Sequence, residues 1–261
     1  MIAALPRTLS RPLRPLRGLA CAATLALAAA PALADLAQMT DEERANFREE
    51  VRAYLMENPE VLMEAISVLD QRQAEAQSAG DADLISDLSD DIYDDGHSWV
   101  GGNPDGDVTI VEFLDYRCGY CRRAHPEVDE LVEADGNIRL IVKEFPILGE
   151  QSLLGSQFAI SVLQTEGDAA YKAVNDALMT MRGNITDESL RDLAEEQELD
   201  VEAVMAGMES DDVRRIITEN HELAQKLRIN GTPSFVFGDQ MVRGYVPLDA
   251  MQDIVEEMRE G

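Results

Sequence analysis

Cysteine is nearly missing from this chain: three in 261 residues, at positions 21, 118 and 121. Cys21 falls in a leader-like segment, which leaves Cys118 and Cys121 for the folded protein. Two thiols fall short of the four ligands of a structural zinc site. A bridge across Cys118-Gly-Tyr-Cys121 would close a loop worth only roughly 2 kcal/mol, against about 4.7 for a hundred-residue loop on the chain-entropy model. Redox chemistry is the best remaining use for such a pair. Positive charge is scarce as well, with 22 Lys and Arg against 51 Asp and Glu, a net charge of −29. Such a surface repels nucleic acid and anionic lipid and reads as a solvated acidic face. Beyond the first 34 residues no apolar run is long enough for a membrane span, which takes about 20 residues.

What is present begins with a segment resembling a secretory signal peptide. Arg7, Arg11, Arg14 and Arg17 form a basic region, Leu19 to Ala30 an apolar one, and Ala32-Leu33-Ala34 a small-residue cleavage site. Residues 1–34 are therefore expected to be removed, placing the protein outside the cytoplasm.

The chain then reads as a series of capped elements. Thr40-Asp-Glu-Glu43 has capping-box spacing, and Phe47, Val51, Tyr54 and Leu55 mark one helical face. Asn58-Pro59 ends that helix and starts another, with Val61, Leu62, Ile66 and Leu69. Two such helices bury little alone, so residues 35–78 are expected to dock on the main domain or, preferably, self-associate, through residues 41–78. The Asp-rich stretch 79–103 reads as a linker with at most a short helical piece.

The core opens with Val108 to Leu114, rich in β-branched and aromatic residues and read as a buried strand. Ala124, Val128, Leu131 and Val132 then fall at helical spacing, so the two cysteines sit at a strand-to-helix junction. There, unpaired backbone N–H groups and the positive end of the helix dipole favour a thiolate. A second strand, Ile138 to Phe145, suggests a parallel βαβ unit. Helical patterns run through residues 150–228, followed by Thr232-Pro233, a hairpin of Ser234 to Phe237 with Gln240 to Arg243, and a closing helix from Pro247. The resulting order is β, α, β, helical insert, β, β, α.

That order, with Cys-x-x-Cys opening the first helix and Pro126 inside it, resembles the thioredoxin fold. The leader, the helical insert before Thr232-Pro233 and the phrases Glu112-Phe113, Lys143-Glu-Phe-Pro-Ile-Leu-Gly149 and Gly231-Thr-Pro233 are similar to the exported DsbA-type thiol-disulfide oxidoreductases. Asn58-Pro-Glu-Val-Leu62 resembles the oligomerising arm of the ScsC-like branch. The fold class implied is α/β. Residues 104–149 and 229–261 would form the two halves of a thioredoxin fold, 150–228 an inserted helical subdomain, and 35–78 a helical arm.

The resemblance implies that Cys118 is the nucleophile and Cys121 the resolving thiol of a redox-active disulfide, with Gly119 and Tyr120 setting the redox poise. It implies that Pro233 is a cis-proline which, with Thr232, presents backbone to an extended protein substrate. Glu112 matches an acid the family often keeps beneath the site. Between Val111 and Phe113 it is either desolvated and able to accept the Cys121 proton, or an acid at a wet strand edge, and Lys143 is its candidate charge partner. Arg117, Arg122 and Arg123 either add positive charge beside the thiolate or, for the last two, are ordinary solvated arginines. Asp115 and Tyr116 are expected to shape the rim, and His97, His125 and His221 to serve as surface or capping residues.

Cys-Gly-Tyr-Cys resembles the motif of DsbC-type isomerases, so an isomerase or reductase kept reduced by a membrane electron donor is favoured over a monomeric dithiol oxidase. The implied location is the periplasm, and neither a cofactor nor a metal is called for. A Cu(I)-binding role on the two thiolates is an alternative of another class, and a pure chaperone or scaffold that does not use the cysteines is a third. No Met stands two residues before Cys118, which departs from the Met-x-Cys-x-x-Cys of copper chaperones.

Overall fold

The computed structural model describes residues 39–260. The leader expected at residues 1–34 lies outside them. Two compact units divide at residue 62. In the first, α1 (Asp41–Glu57) starts at the capping box expected there: the Thr40 side chain accepts from the Glu43 N–H, and the Glu43 carboxylate accepts from the Thr40 N–H at 2.8 Å. No residue of α1 is buried, and Phe47, Val51 and Tyr54 present their apolar surface to solvent.

The second unit is built on a five-stranded sheet of β1 (Trp99–Gly102), β2 (Val108–Leu114), β3 (Ile138–Glu144), β4 (Ser234–Phe237) and β5 (Gln240–Arg243), in the order β1-β3-β2-β4-β5. β2 and β3 are parallel and joined through α4 (Gly119–Asp135), while all other pairs are antiparallel. Successive side chains of a strand point to opposite faces. Ile110, Leu114, Leu140, Val142, Phe235 and Phe237 therefore face α4, the inserted helices and α10 (Leu248–Glu260). Val111, Phe113, Ile141 and Val236 face the other way.

The inserted helices are α5 (Glu150–Glu166), α6 (Asp168–Thr180), α7 (Asp187–Glu196), α8 (Val201–Gly207) and α9 (Asp211–Lys226). α7 and α9 begin at hydroxyl caps: Thr186 accepts from the Ser189 N–H, and Ser210 from the Val213 N–H. α9 turns to the second face, where Leu223, Ala224 and Leu227 pack against Phe113 and Ile141.

The stretch 79–103, expected as a linker, is ordered differently. α2 (Glu60–Asp87) runs on through it, α3 (Ser89–Tyr93) follows, and β1 closes it. Leu84, Ile85, Leu88 and Ile92 form a helical stripe that packs on the second face of the sheet. Asp81, itself buried, receives a bidentate grip from Arg243 at 2.7 and 2.9 Å. The density of aspartates conceals that stripe in the sequence. β1 is short and half glycine, and Gly101 has to be glycine: a Cβ there would lie 2.0 Å from the Trp99 ring folded over it.

Candidate active site

β2 delivers the chain to the tight segment Asp115-Tyr116-Arg117, after which Cys118 is the N-cap of α4. Asp115 fixes this segment from inside. Its carboxylate accepts the N–H groups of Arg117, Ile147 and Leu148 at 2.7 to 3.0 Å, and its carbonyl accepts that of Cys118. It is fully buried, as is Tyr116, whose hydroxyl donates to Glu144 at 2.6 Å. Both therefore belong to the core and not to the rim, because an acceptor must satisfy the N–H groups of a buried turn.

Cys118 and Cys121 are both free thiols, the first barely accessible and the second fully enclosed one helical turn deeper. The Thr232-Pro233 peptide bond is cis, and the Thr232 carbonyl lies 3.1 Å from the Cys118 sulfur. That carbonyl can accept only from the protonated thiol. The Cys121 thiol above all, with the Thr232 side chain and the N–H groups of Cys121 and Tyr120, stabilises the anion and outweighs partial burial, bringing Cys118 down to about 5. Cys121 is driven the other way, far above an ordinary thiol, first by burial and then by its bond to Cys118 and the charge of Glu112. The pair is thus built to carry one negative charge, on the outer sulfur.

Glu112 lies within β2 on the same face as the Cys121 helix and is wholly buried. Burial, followed by the charges of Asp129, Glu144 and Cys118, pushes its carboxyl up to about 8. Its Oε1 has no hydrogen-bond partner among the described residues. Of the two readings of Glu112, the wet strand edge is the one the structure does not show. Lys143 is not its partner. In the parallel register Glu112 pairs with Val142, so Lys143 points to the opposite face, where its ammonium bonds Asp95 and the Asp91 carbonyl.

A second buried acid, Glu144, was not singled out by sequence. It accepts from Tyr116, Tyr171 and Ser156 at 2.6 to 2.7 Å. Burial still raises it to about 7 against those three bonds. Its only sequence signal was an acid ending an apolar strand.

The arginines beside the cysteines are structural clips. Arg122 donates to the carbonyls of Tyr116, Met181 and Leu178. Arg117 donates to that of Gly183. Both hold the C-terminal end of α6 and the loop after it against the cysteine segment. Arg123 stays exposed, its guanidinium 4.4 Å from the centre of the Tyr245 ring. His221 packs on Phe145 and His97 on Asp95. His125, Asp129 and Asp176 cluster closely enough for an ion. The Lys172 ammonium already occupies that position, 3.1 Å from Asp129 and 2.5 Å from Asp176.

Comparison with known proteins places this geometry. Residues 109–256 match the DSBA-like thioredoxin domain family, and residues 43–76 match the copper resistance protein ScsC N-terminal domain. A thioredoxin-like oxidoreductase from Silicibacter pomeroyi is 44% identical over 66% of this chain and 98% of its own, with a TM-score of 0.62. ScsC of Proteus mirabilis in a transitional conformation is 31% identical over 85% and 97%, with a TM-score of 0.61. The probable disulfide bond formation protein D of Bacillus cereus is 26% identical over 51% of this chain. The chain spans 66% of the length of that relative and 24% of another, a Na(+)/H(+) antiporter.

The raised Glu112 carboxyl has a consequence for stability. The folded protein holds this proton more tightly than the unfolded chain does, so the contribution is fully present below about 4.5 and is lost as pH rises toward about 8. Glu112→Gln, which stays neutral, is expected to be more stable than the parent by about 3 kcal/mol at pH 7, with no advantage below pH 4. Urea unfolding of both proteins from pH 4 to 8 measures this, and a pH-independent difference would show that folding does not raise the Glu112 pKa.

Proposed function

The chain belongs to the DSBA-like thioredoxin domain family, and from that premise we propose that it is an exported enzyme exchanging disulfides with protein substrates, acting as an isomerase or reductase. The observation that carries the reading is the division of labour within the dithiol: an outer sulfur brought down to about 5 beside the cis Thr232-Pro233 bond, and an enclosed inner sulfur held as a thiol. The Cys118 thiolate attacks one sulfur of a client disulfide, forming a mixed disulfide and releasing the other sulfur as a thiolate. Isomerisation follows when that client thiolate attacks a different disulfide and a client sulfur later displaces Cys118. Reduction follows once the mixed disulfide has removed the Cys118 charge that helps hold the Glu112 proton: Glu112 releases its proton to solvent, its carboxylate takes the Cys121 proton, and the Cys121 sulfur attacks Cys118, closing the intrachain disulfide and releasing the second client thiolate. Thr232 and Pro233 present backbone to the client, and Tyr120 adds a contact surface beside Gly119, where a side chain would meet only open space.

Turnover as a reductase or isomerase requires return of electrons from outside the chain, and a membrane thiol donor suits a periplasmic location. The signal-like sequence of residues 1–34 and the kinship with ScsC proteins support that location. The isomerase preference rests on Gly119-Tyr120 and on the arm, where α1 exposes Phe47, Val51 and Tyr54 and α2 exposes Leu62, Ile66 and Leu69. Self-association through residues 41–78 would cover these faces and bring several dithiols to one misfolded client. The stabilised thiolate favours one second reading, a dithiol oxidase, because stabilising the reduced form makes the disulfide a stronger oxidant. A Cu(I) site on both sulfurs fits less well, since the enclosed Cys121 strongly resists ionisation.

Two outcomes test this. Cys121→Ser is expected to accumulate mixed disulfides with client proteins, and Cys118→Ser none; equal trapping by both would remove Cys118 as nucleophile. In refolding of a scrambled disulfide protein, the full chain is expected to reshuffle bonds and to scatter light as an oligomer. Leu62→Glu with Ile66→Glu should become monomeric and lose reshuffling. An unchanged monomeric mass would overturn the arm, and oxidation without reshuffling by the parent would favour the oxidase.

A further inference from the structure

Tyr120 lies between the two cysteines and is 61% exposed, so its ring serves no core. It does not stand alone. Its ring stacks on Tyr245, from the loop between β5 and α10, at 6.2 Å between centres and 27° between planes. Tyr245 is gripped at both ends by α4. Its hydroxyl bonds both carboxylate oxygens of Glu127, at 2.7 and 2.9 Å, while the Arg123 guanidinium lies over its ring. Glu127 also accepts the N–H of Leu248, the first residue of α10, so the loop carrying Tyr245 is tied to the redox helix. Arg123 and Glu127 are four residues apart and hence neighbours on one face of α4.

This assembly contributes little to the core, since Tyr120 and Arg123 are exposed and Tyr245 is half-buried. It does fix the direction of the Tyr120 ring beside the reactive sulfur. A pre-oriented ring has one stacked face and one free face, and the free face pairs favourably with another aromatic or a large aliphatic side chain.

We propose that Tyr120, Tyr245 and Arg123 form a specificity ledge selecting client segments that carry an aromatic or large aliphatic side chain within two or three residues of the reacting half-cystine. Tyr120 makes the contact, and Tyr245 is a positioning residue that holds Tyr120. Such segments are buried in correctly folded proteins and exposed in misfolded ones, so the ledge would favour non-native clients. The inference rests on the disulfide-exchange reading of the same dithiol.

The test uses the reduced full chain and two peptides of equal length, each carrying its cysteine as a mixed disulfide with glutathione. One places tryptophan two residues from that cysteine and the other serine. Glutathione disulfide serves as a third substrate with no peptide at all. The parent is expected to react with the tryptophan peptide about five-fold faster in the second-order rate constant of a single turnover, chiefly through tighter binding. Tyr245→Ala should reduce this ratio to below two, while Tyr245→Phe, which keeps the ring and loses only the Glu127 bond, should retain most of it. The readout is the ratio between peptides and not the absolute rate, so a general loss of fold or reactivity cannot imitate it. A parent ratio near one, or a ratio unchanged in Tyr245→Ala, would overturn the ledge. Failure of the parent to react even with glutathione disulfide would overturn the exchange reading and the ledge with it.

Discussion

The site depends on a limit to how much negative charge its interior can hold. Cys118, Cys121 and Glu112 are three acids in close company, and two of them are fully enclosed. Only Cys118 is given what an anion needs, the Cys121 thiol and the N–H groups at the start of α4, and only Cys118 is brought down. Burial keeps protons on the other two. A low-dielectric interior makes each further charge expensive, so ionising one group raises the cost of ionising the next. In the proposed exchange the thiolate charge disappears when Cys118 forms a bond, and that loss lowers the cost of ionising Glu112, so the carboxylate able to take the Cys121 proton forms at the step that needs it.

The scaffold serves this limit through strand parity. Glu112 and Glu144, two residues out of step in the pairing of β2 with β3, face the same side as the redox helix, while Lys143 faces the other. Had Lys143 pointed inward, an ion pair would have held Glu112 charged and removed its raised pKa. Instead the lysine meets Asp95 and the Asp91 carbonyl beneath the second face. Around the mouth, Arg117 and Arg122 are consumed by carbonyls of the inserted helices, which positions the cysteine segment and leaves thiolate stabilisation to local donors.

Much of this was legible in the sequence where a local signal and the tertiary structure agree. The capping box at Thr40, the hairpin around Gly238-Asp239 and the dithiol at the strand-to-helix junction each rest on residues close in the chain. Three features rest on distant partners and were hidden. The stripe Leu84, Ile85, Leu88 and Ile92 is masked by the aspartates around it, and only docking on the sheet reveals why one of them, Asp81, is buried against Arg243. Asp115 reads as a rim acid until the loop at Ile147 and Leu148 brings its N–H groups in. Glu144 and Tyr116 read as a strand end and a loop residue, and become a buried cluster only when Tyr171 arrives from α6.

The most direct test of a dithiol that carries one charge is the pH dependence of alkylation at each cysteine, read by mass spectrometry of the reduced protein after brief exposure to iodoacetamide. Modification confined to Cys118, with a rate that rises through a midpoint near 5 and is flat above pH 7, is the expected result. Comparable modification of Cys118 and Cys121, or a midpoint near that of a free thiol at about 8.5, would contradict it.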